Sequence, residues 1–360
     1  MERLEEFAFR YGRSYDAYLV TEPGWEYFWS SGRRGVVALA RKGKYLFSSG
    51  GLLAPESHHE DLLSELVERV AARREVLTFF NITEDQLPLL RRFGFQATKW
   101  GEEAIVDLPG CTWAGKPYEW LRRQSSFCLR HDLAVFECRR QAMSSAQWRS
   151  LLGELSHVSG LFLKSKPQAG EMRFLQGRFD LDQMGRKRVF VARADGGTGR
   201  IEGFVACNPY GNGQTWVMET FRHRPDAVRG TTAFLMHQVM RQLQDEGVRH
   251  VSLCLLPGLR CRDPLPGDSA LARWGLVLGT QRFNLVVDSV GAYHFKSRFR
   301  PRFENRYLCV RPRMTLGVGL AFTRLLGVLK LDFARLGKLA VQRWQKRASR
   351  ATLQTPDSEP

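Results

Sequence analysis

The sequence predicts an α/β (α+β) fold in which two mixed sheets, each flanked by helices, follow one another along the chain. Its 360 residues are 43% hydrophobic, which is enough for about two packed domains and excludes a disordered chain. Runs with β-type periodicity alternate with amphipathic helical runs in both halves. In the second half a strand, a loop, a long helix and another strand follow in the order of a βαβ crossover.

The first half has short elements. We predict a hairpin at Val36–Ala40 and Lys44–Ser48. Helices are predicted at His59–Arg73 and Asp85–Phe93, and strands at Val76–Phe80 and Glu103–Leu108. A basic helix, Tyr118-Glu-Trp-Leu-Arg-Arg-Gln, then leads out of this unit. We therefore predict an N-terminal domain over residues 1–115 and a basic interdomain segment over 116–140.

The second half repeats this plan more clearly. A helix is predicted at Gln147–His157, followed by strands at Arg188–Ala194, Ile201–Asn208 and Gln214–Phe221. A long helix follows at Thr231–Glu246, and then strands at Val251–Leu256, Arg282–Val287 and Arg306–Val310. Gly247 ends the long helix with a C-cap signal. A meander before a βαβ crossover is the element order of the GNAT acyltransferase fold. We therefore predict tandem GNAT-like domains, of which the second, over 141–312, is catalytic.

Positive charge is concentrated near the C-terminus. The net charge is +17, and residues 296–350 carry fifteen Lys and Arg against two acids, which indicates an anionic partner such as nucleic acid or a membrane surface. Residues 313–348 predict a basic amphipathic helix, which either lies on a membrane or docks on the body of the protein. Residues 349–360 are expected to be disordered.

Other patterns exclude several classes of site. Seven cysteines without a C-x-x-C pair argue against a disulfide framework or a thiolate zinc site. The sequence has no phosphate loop and no dinucleotide fingerprint, so neither a metal nor a cofactor is expected. The acidic N-terminus has no apolar signal core, so we expect the chain to stay in the cytoplasm.

Five motifs then occur in a fixed order. They are Glu171-Met-Arg-Phe-Leu-Gln-Gly-Arg-Phe179, Met218-Glu-Thr-Phe-Arg-His-Arg-Pro225, Ser252-Leu-Cys-Leu-Leu-Pro257, Phe295-Lys-Ser-Arg-Phe-Arg-Pro301 and Arg306-Tyr-Leu308. Together with Gly101-Glu-Glu-Ala104 they resemble the C-terminal catalytic domain of phosphatidylglycerol lysyltransferases, the multiple peptide resistance factors. The resemblance extends from about residue 15 to residue 310.

The resemblance implies an aminoacyltransferase. Such enzymes take the aminoacyl group from an aminoacyl-tRNA and esterify it to a hydroxyl of phosphatidylglycerol, an anionic membrane lipid, at the cytoplasmic face of the membrane. It also implies a stand-alone form with a separate flippase as partner, because the family's multi-span flippase domain does not precede this chain. Glu219-Thr-Phe-Arg222 replaces the family's usual Asp-Leu-Met-Arg, which leaves the amino acid and the lipid acceptor open.

The resemblance assigns the catalytic roles to Glu219, Arg222 and Glu171. Glu219 has apolar neighbours that suit a proton-transfer group, although a structural pair with Arg222 is the alternative. Glu171 is assigned to the substrate ammonium or to base catalysis, and Arg222 to a phosphate or an oxyanion.

The predicted substrate-binding residues are Lys296, Arg298, Arg306, Tyr307 and Glu103. Basic and aromatic residues alternate over 295–303, which predicts a strand with Lys296 and Arg298 on its phosphate-binding face. A solvated strand edge is the alternative for either residue.

Further basic residues, Arg122, Arg123 and Arg130, are candidates for tRNA backbone contacts, although a solvated charged face is the simpler interpretation.

Two other function classes also stay open. One is a coenzyme A-dependent acyltransferase, for which the loop 224–232 has one glycine in place of Gly-x-Gly/Ala. The other is a non-catalytic protein that binds membranes or RNA.

Overall fold

The computed structural model of the chain describes residues 2–165, 179–279 and 289–326; the predicted strand 282–287 and residues 327–348 of the predicted C-terminal helix lie outside them. The strands are β1 Glu26–Trp29, β2 Val36–Lys42, β3 Tyr45–Leu53, β4 Val76–Ile82, β5 Gln96–Asp107, β6 Ala134–Cys138, β7 Arg188–Arg193, β8 Ile201–Tyr210, β9 Thr215–His223, β10 His250–Pro257 and β11 Arg302–Arg311. The α-helices are α1 Glu2–Tyr11, α2 His59–Ala72, α3 Leu87–Arg92, α4 Glu119–Arg130, α5 Ser145–Lys164, α6 Thr231–Asp245, α7 Ala270–Val277, α8 Ser289–Ser297 and α9 Leu316–Leu326. The predicted mixed α/β class is confirmed.

Each half of the chain contains the predicted meander and crossover. In the first half β1, β2 and β3 are antiparallel, and α2 leads to β4, which is parallel to β3. In the second half β6 to β9 are antiparallel, and α6 leads to β10, which is parallel to β9. Both crossover helices bury apolar residues that recur at helical spacing. The tandem GNAT-like order of elements is therefore confirmed.

The two halves share a single sheet because each contributes its last strand to the other. The strand order is β1-β2-β3-β4-β11-β5-β10-β9-β8-β7-β6. Strand β11 pairs with β4 and β5, and β5 pairs with β11 and β10, all in antiparallel orientation. The division into two domains stays a prediction, and the centre of the sheet is built from both of the predicted domains.

Irregular pairing opens the sheet near its centre. Parallel pairing of β9 with β10 covers Thr215–Val217 against His250–Ser252. In β9 the register shifts so that Glu219 is an extra residue opposite β8. In β10 the register with β5 shifts between Ser252 and Leu255, and Cys254 there has φ 65°. Such bulges bend strands and re-aim side chains, so they set the geometry of the site described below.

The segment 295–303 is not one strand, and that prediction is wrong in its first part. Lys296 lies in α8, and β11 begins at Arg302. Phe295 and Phe299 are four residues apart, and their ring centroids lie 5.5 Å apart in the core beside α6. The basic-aromatic alternation therefore spans a helix end, a turn and a strand start, and it is not the periodicity of one element.

Helix α9 is the start of the predicted C-terminal amphipathic helix, and it docks on the body. Phe322 stacks on Phe80 with ring centroids 4.6 Å apart and meets Trp100 edge-on at 5.8 Å. The side of α9 that carries Val318, Ala321 and Phe322 thus faces the core. Among the described helices, none combines the length and apolar character needed to span a bilayer.

Candidate active site

A buried lysine holds two carboxylates together at the bulge of β9. The Lys187 Nζ donates to both oxygens of Glu219 at 3.1 and 3.0 Å, and to Glu22 Oε1 at 2.7 Å. Asn208 of β8 also donates to Glu219. The side chains of Lys187 and Glu219 are 3% and 1% exposed. Burial acts to lower the pKa of Lys187, but the two carboxylates outweigh it and raise that pKa, so the lysine is an ammonium.

A second buried cluster joins four central strands. Glu103 of β5 accepts from Arg306 Nε of β11 at 2.7 Å, from the Tyr210 hydroxyl at 3.0 Å and from Ser252 Oγ at 2.5 Å. Glu103 and Arg306 are 0% and 2% exposed. Burial raises the pKa of the Tyr210 hydroxyl, and the neighbouring Glu103 carboxylate raises it further. The predicted pair Glu103 and Arg306 is thus brought together, but its atoms are engaged in fixing β5, β8, β10 and β11 to one another.

Lys296 reaches the bulge of β10 from α8. Its ammonium donates to the carbonyl oxygens of Cys254 at 3.2 Å and Leu255 at 3.1 Å, and it is buried. Burial lowers the pKa of Lys296 to about 8, against the opposing effects of Cys254 and Glu103. Within the described residues these two carbonyl oxygens are its acceptors.

The charges converge on Cys254. Its thiol donates to the carbonyl oxygen of Met218, which precedes Glu219, at 3.4 Å, and its carbonyl oxygen accepts from Lys296. Its N–H donates to Ser252 Oγ at 3.1 Å, and that hydroxyl donates to Glu103. Burial raises the pKa of the Cys254 thiol to about 12. A protonated thiol is a poor nucleophile, and Cys254 therefore contributes its backbone carbonyl and the bend of the strand.

Two predicted arginines occupy different environments. Arg222 lies three residues beyond Glu219 in β9, where it is buried, donates to Ser159 and lies 5.2 Å from the Phe179 ring centroid. Arg298 is exposed and lies 5.6 Å from the Trp120 ring centroid. Arg222 is therefore part of the buried region that follows Glu219, whereas Arg298 lies on the surface.

Tyr307 lies apart from the cluster. It alternates with Arg306 along β11 and packs in the core beneath α2 and α3, on the other face of the sheet. Burial raises the pKa of its hydroxyl. Glu171 lies outside the described residues. The structure thus gathers Glu219, Lys296, Glu103 and Arg306 at the bulges, and its geometry gives no support to substrate binding by Tyr307.

Sequence reasoning missed Lys187, Glu22 and Asn208. Lys187 and Glu22 are 165 residues apart, so no local spacing signals their pairing. Lys187 directly precedes a strand of buried residues, which is the one local hint of a buried cation.

Helix α4 covers the N-terminus of α6. Gly230, which precedes α6, has φ 91°, and an added Cβ there would lie 2.7 Å from Gln124 Oε1 of α4. The Cys128 thiol lies 3.5 Å from the Arg229 carbonyl oxygen. The loop that cradles a pyrophosphate in coenzyme A-dependent GNAT enzymes is therefore packed against a protein helix here.

Comparisons with known proteins agree on one family. The sequence profile of the family described as "Phosphatidylglycerol lysyltransferase, C-terminal" matches residues 6–310. A phosphatidylglycerol lysyltransferase of Bacillus subtilis is 26% identical over 276 residues, covering 75% of this chain and 30% of the relative. One of Staphylococcus aureus is 23% identical over 338 residues, covering 89% of this chain and 37% of the relative. The chain thus spans about a third of the length of these relatives.

Solved structures show the same fold. The C-terminal domain of an Agrobacterium fabrum protein assigned to the lysylphosphatidylglycerol synthetases superposes with a TM-score of 0.75 at 24% identity, over 89% of this chain and 94% of that one. The L-PGS of Bacillus licheniformis gives 0.72 at 22% identity, over 91% and 96%. Since the family profile covers most of the chain, this protein belongs to the phosphatidylglycerol lysyltransferase C-terminal family.

Proposed function

We propose that this chain transfers an aminoacyl group from an aminoacyl-tRNA to the hydroxyl of a membrane lipid such as phosphatidylglycerol. The observation that carries the proposal is the buried cluster at the bulges, where the Lys296 ammonium donates to the carbonyl oxygens of Cys254 and Leu255 and Glu219 is paired with Lys187. The curated relatives named phosphatidylglycerol lysyltransferase support the classes of donor group and lipid.

The chemistry is an ester exchange. The lipid hydroxyl oxygen attacks the carbonyl carbon of the aminoacyl ester, the bond from that carbon to the ribose oxygen breaks, and the hydroxyl proton passes to the ribose oxygen. Negative charge develops on the carbonyl oxygen, where the ammonium of Lys296 stabilises it. Glu22 and Glu219 lie together at Lys187, and carboxylates there suit binding of the ammonium group of the aminoacyl moiety.

Exposed apolar side chains support a membrane contact. Leu271 and Trp274 of α7 and Leu278, which directly follows it, are 41%, 59% and 45% exposed, at a spacing that places them on one side. On α9, Leu316 and Leu320 are 71% and 57% exposed. Exposed tryptophan and leucine side chains suit the bilayer interface.

The same two helices lie close together. The Gln96 amide donates to Asp268 O, just before α7, and accepts from Met314 N, just before α9. Both helices pack on one core cluster, so their exposed sides point the same way. We propose that they seat the protein peripherally on the cytoplasmic face of the membrane. A separate flippase that moves the product stays a prediction.

The coenzyme A alternative meets an obstacle, because α4 occupies the space beside the N-terminus of α6. A non-catalytic binding protein is the other alternative, and the reaction assay separates it from an enzyme. Purified chain, lipid vesicles and tRNA charged with a labelled amino acid should give a labelled lipid by mass spectrometry. Ribonuclease treatment before mixing should abolish it, and acyl-coenzyme A should not replace the charged tRNA.

Two variants sharpen this assay. Lys296→Met should lower the rate at least 100-fold, by analogy with the loss of one oxyanion donor. Glu219→Gln should also lower the rate, because the neutral amide no longer attracts the ammonium of the aminoacyl moiety. Lys42→Met, at an exposed site of β2, is the matched control and should keep the rate. Full activity of both site variants, or transfer from acyl-coenzyme A alone, contradicts the proposal.

A further inference from the structure

The opening between the parallel strands of the second half has a counterpart in the first half. Parallel pairing of β3 with β4 ends at Phe79 on β4, and that of β9 with β10 ends at Ser252 on β10. Two residues beyond these ends, Asn81 and Cys254 have positive φ, 57° and 65°. Each strand also carries one extra residue there relative to its antiparallel neighbour. The two halves thus open their parallel strands at equivalent positions.

A carboxylate of the chain itself fills the opening of the first half. Asp16 Oδ2 accepts from Gly50 N at 3.1 Å and from Asn81 Nδ2 at 2.8 Å, so it joins β3 to β4. Ser49 Oγ donates to the same oxygen at 2.5 Å, and Ser14 Oγ donates to Oδ1 at 2.5 Å. Asp16 is 0% exposed and, among the described residues, forms no ion pair. Neutral donors therefore hold its charge.

These donors form a cradle for one carboxylate. The cradle consists of Ser14, Ser49, Gly50 and Asn81. Hydroxyl and amide hydrogens that converge on one position stabilise an anion there. A Cβ added at Gly50, which has φ 77°, would lie 2.8 Å from Val20 Cγ1 and 3.2 Å from Ala17 Cα. The segment after Asp16 thus packs against the strand backbone, and it closes this opening to a substrate.

The segment that carries Asp16 also carries a residue of the candidate active site. Residues 14–22, which we call the strap, are nine consecutive buried residues, and Ala17–Thr21 within them form a 3-10 helix. Near one end Asp16 lies in the cradle, and at the other end Glu22 accepts from Lys187 at 2.7 Å. A 3-10 helix rises ~2.0 Å per residue, so the six steps between them span ~12 Å. The strap connects the opening of the first half to the cluster of the second.

Two successive backbone hydrogen bonds link the ends of the strap. Leu19 N donates to the carbonyl oxygen of Asp16 at 3.1 Å, and Glu22 N donates to the carbonyl oxygen of Leu19 at 3.0 Å. The position of Asp16 therefore fixes the start of the turn that ends at Glu22. A shift of Asp16 out of the cradle moves Glu22 relative to Lys187.

We propose that the first half keeps a carboxylate-binding site that the chain fills with its own Asp16, and that Asp16 is thereby a positioning residue for Glu22. Binding of the donor ammonium by Glu22 is part of the proposed function, on which this inference rests in that respect. The first half then anchors the strap, and the chemistry is confined to the opening of the second half.

Formate tests the cradle without any reaction. Asp16→Ala removes the carboxylate and leaves a space of its size, so the thermal midpoint of this variant should fall and then rise with formate concentration. At equal ionic strength in chloride it should not rise. Asp16→Asn, whose amide fills the cradle, and Asp61→Ala, at an exposed site of α2, should not respond to formate. If Asp16→Ala folds only with formate, the refolding yield gives the same result. Equal responses of all three variants, or none, overturn the proposal.

A donor without a charged α-nitrogen tests the link to Glu22. Asp16→Ala should raise KM for aminoacyl-tRNA ~10- to 100-fold, the worth of a hydrogen bond to a charged group, with kcat unchanged. Formate should reverse this rise. Transfer from N-acetylaminoacyl-tRNA should be unaffected, as in Glu22→Gln. Equal loss with both donors means that Asp16 serves only folding, and it overturns the positioning role.

A double-mutant cycle separates this inference from the reaction itself. Glu22→Gln should change the urea midpoint less in the Asp16→Ala background than in wild type, because both residues act through the contact with Lys187. This cycle and the formate response decide the matter even if the wild-type chain transfers nothing, a result that sinks only the proposed function. Additive changes in the urea midpoint overturn the positioning role.

Discussion

Replacing Lys187 by methionine removes the ammonium that lies between Glu219 and Glu22 while keeping a side chain of similar length. In the wild-type protein Nζ lies 2.7–3.1 Å from oxygens of both carboxylates, and Glu219 is 1% exposed. The variant therefore leaves a buried carboxylate beside a second one without the cation that Lys187 supplies. We expect a large loss of stability and a loss of transferase activity.

The structure sets the size of the effect. Removal of one partner from a buried ion pair costs ~3–5 kcal/mol. A chain of 360 residues has an unfolding entropy of ~0.75 kcal/mol/K for a cooperative transition. The thermal midpoint of Lys187→Met should therefore fall by ~4–7 °C relative to wild type.

Circular dichroism melts at several pH values check both the magnitude and its cause. The raised pKa of Lys187 means that the folded state holds this proton more tightly than the unfolded chain. Its stabilisation should therefore be complete below about pH 10.5, the ordinary lysine value, and be lost as pH rises through the higher folded pKa. The difference in thermal midpoint between wild type and variant should therefore narrow at that alkaline end.

Two comparisons control the experiment. Lys42→Met, on the surface, should melt within ~1 °C of wild type. Adding Glu22→Gln and Glu219→Gln to Lys187→Met should recover part of the stability, because neutral partners no longer bury an uncompensated charge. A midpoint for Lys187→Met as high as that of Lys42→Met refutes the reasoning.

Three further predictions concern Lys296, two glycines and α9. Because burial lowers the pKa of Lys296 to about 8, kcat/KM should fall as pH rises above 8; a rate that rises there would make this lysine a base. Gly101→Ala should destabilise the protein by ~1–3 kcal/mol, since the added Cβ would lie 2.4 Å from a backbone oxygen of β10. Gly153→Ala in α5 should stabilise the protein by ~0.5–1 kcal/mol, because its Cβ meets nothing within 4 Å. Equal urea midpoints for the two variants contradict this pair of predictions. Phe322→Ala should cost ~3 kcal/mol and speed hydrogen exchange in α9, and unchanged exchange would mean that α9 is held by other contacts.

The sequence predicts a helix or strand well where the spacing of its apolar residues stays constant over the whole element. The hairpin β2–β3, helix α2 and helix α6 lie where their patterns place them. The edge strands β1 and β6 were not predicted, because short, partly exposed strands carry little apolar periodicity. Helix α1 was not predicted either, although its sequence is amphipathic. The strand predicted over 295–303 fails because its alternation crosses a helix end and a turn.

Candidate site residues were predictable only in part. Motif resemblance selected Glu219, Lys296, Glu103 and Arg306, which the structure gathers around the bulges of β9 and β10. The same motifs selected Tyr307, whose alternation along β11 turns it to the opposite face. Motifs identify residue types in order along the chain, and they do not say which face of the sheet a side chain points to.

The sequence by itself determined the mixed fold class, the repeated meander and crossover, and the concentration of charge toward the C-terminus, because periodicity and composition are local properties. Only the tertiary structure decided that β5 and β11 exchange places in one sheet, that Lys187 binds Glu22 and Glu219, and that Arg298 extends the surface of α4. These are contacts between residues far apart in sequence. Their physical origin is the burial of two central strands between the halves, which brings charged groups into a low-dielectric centre where each must find a partner.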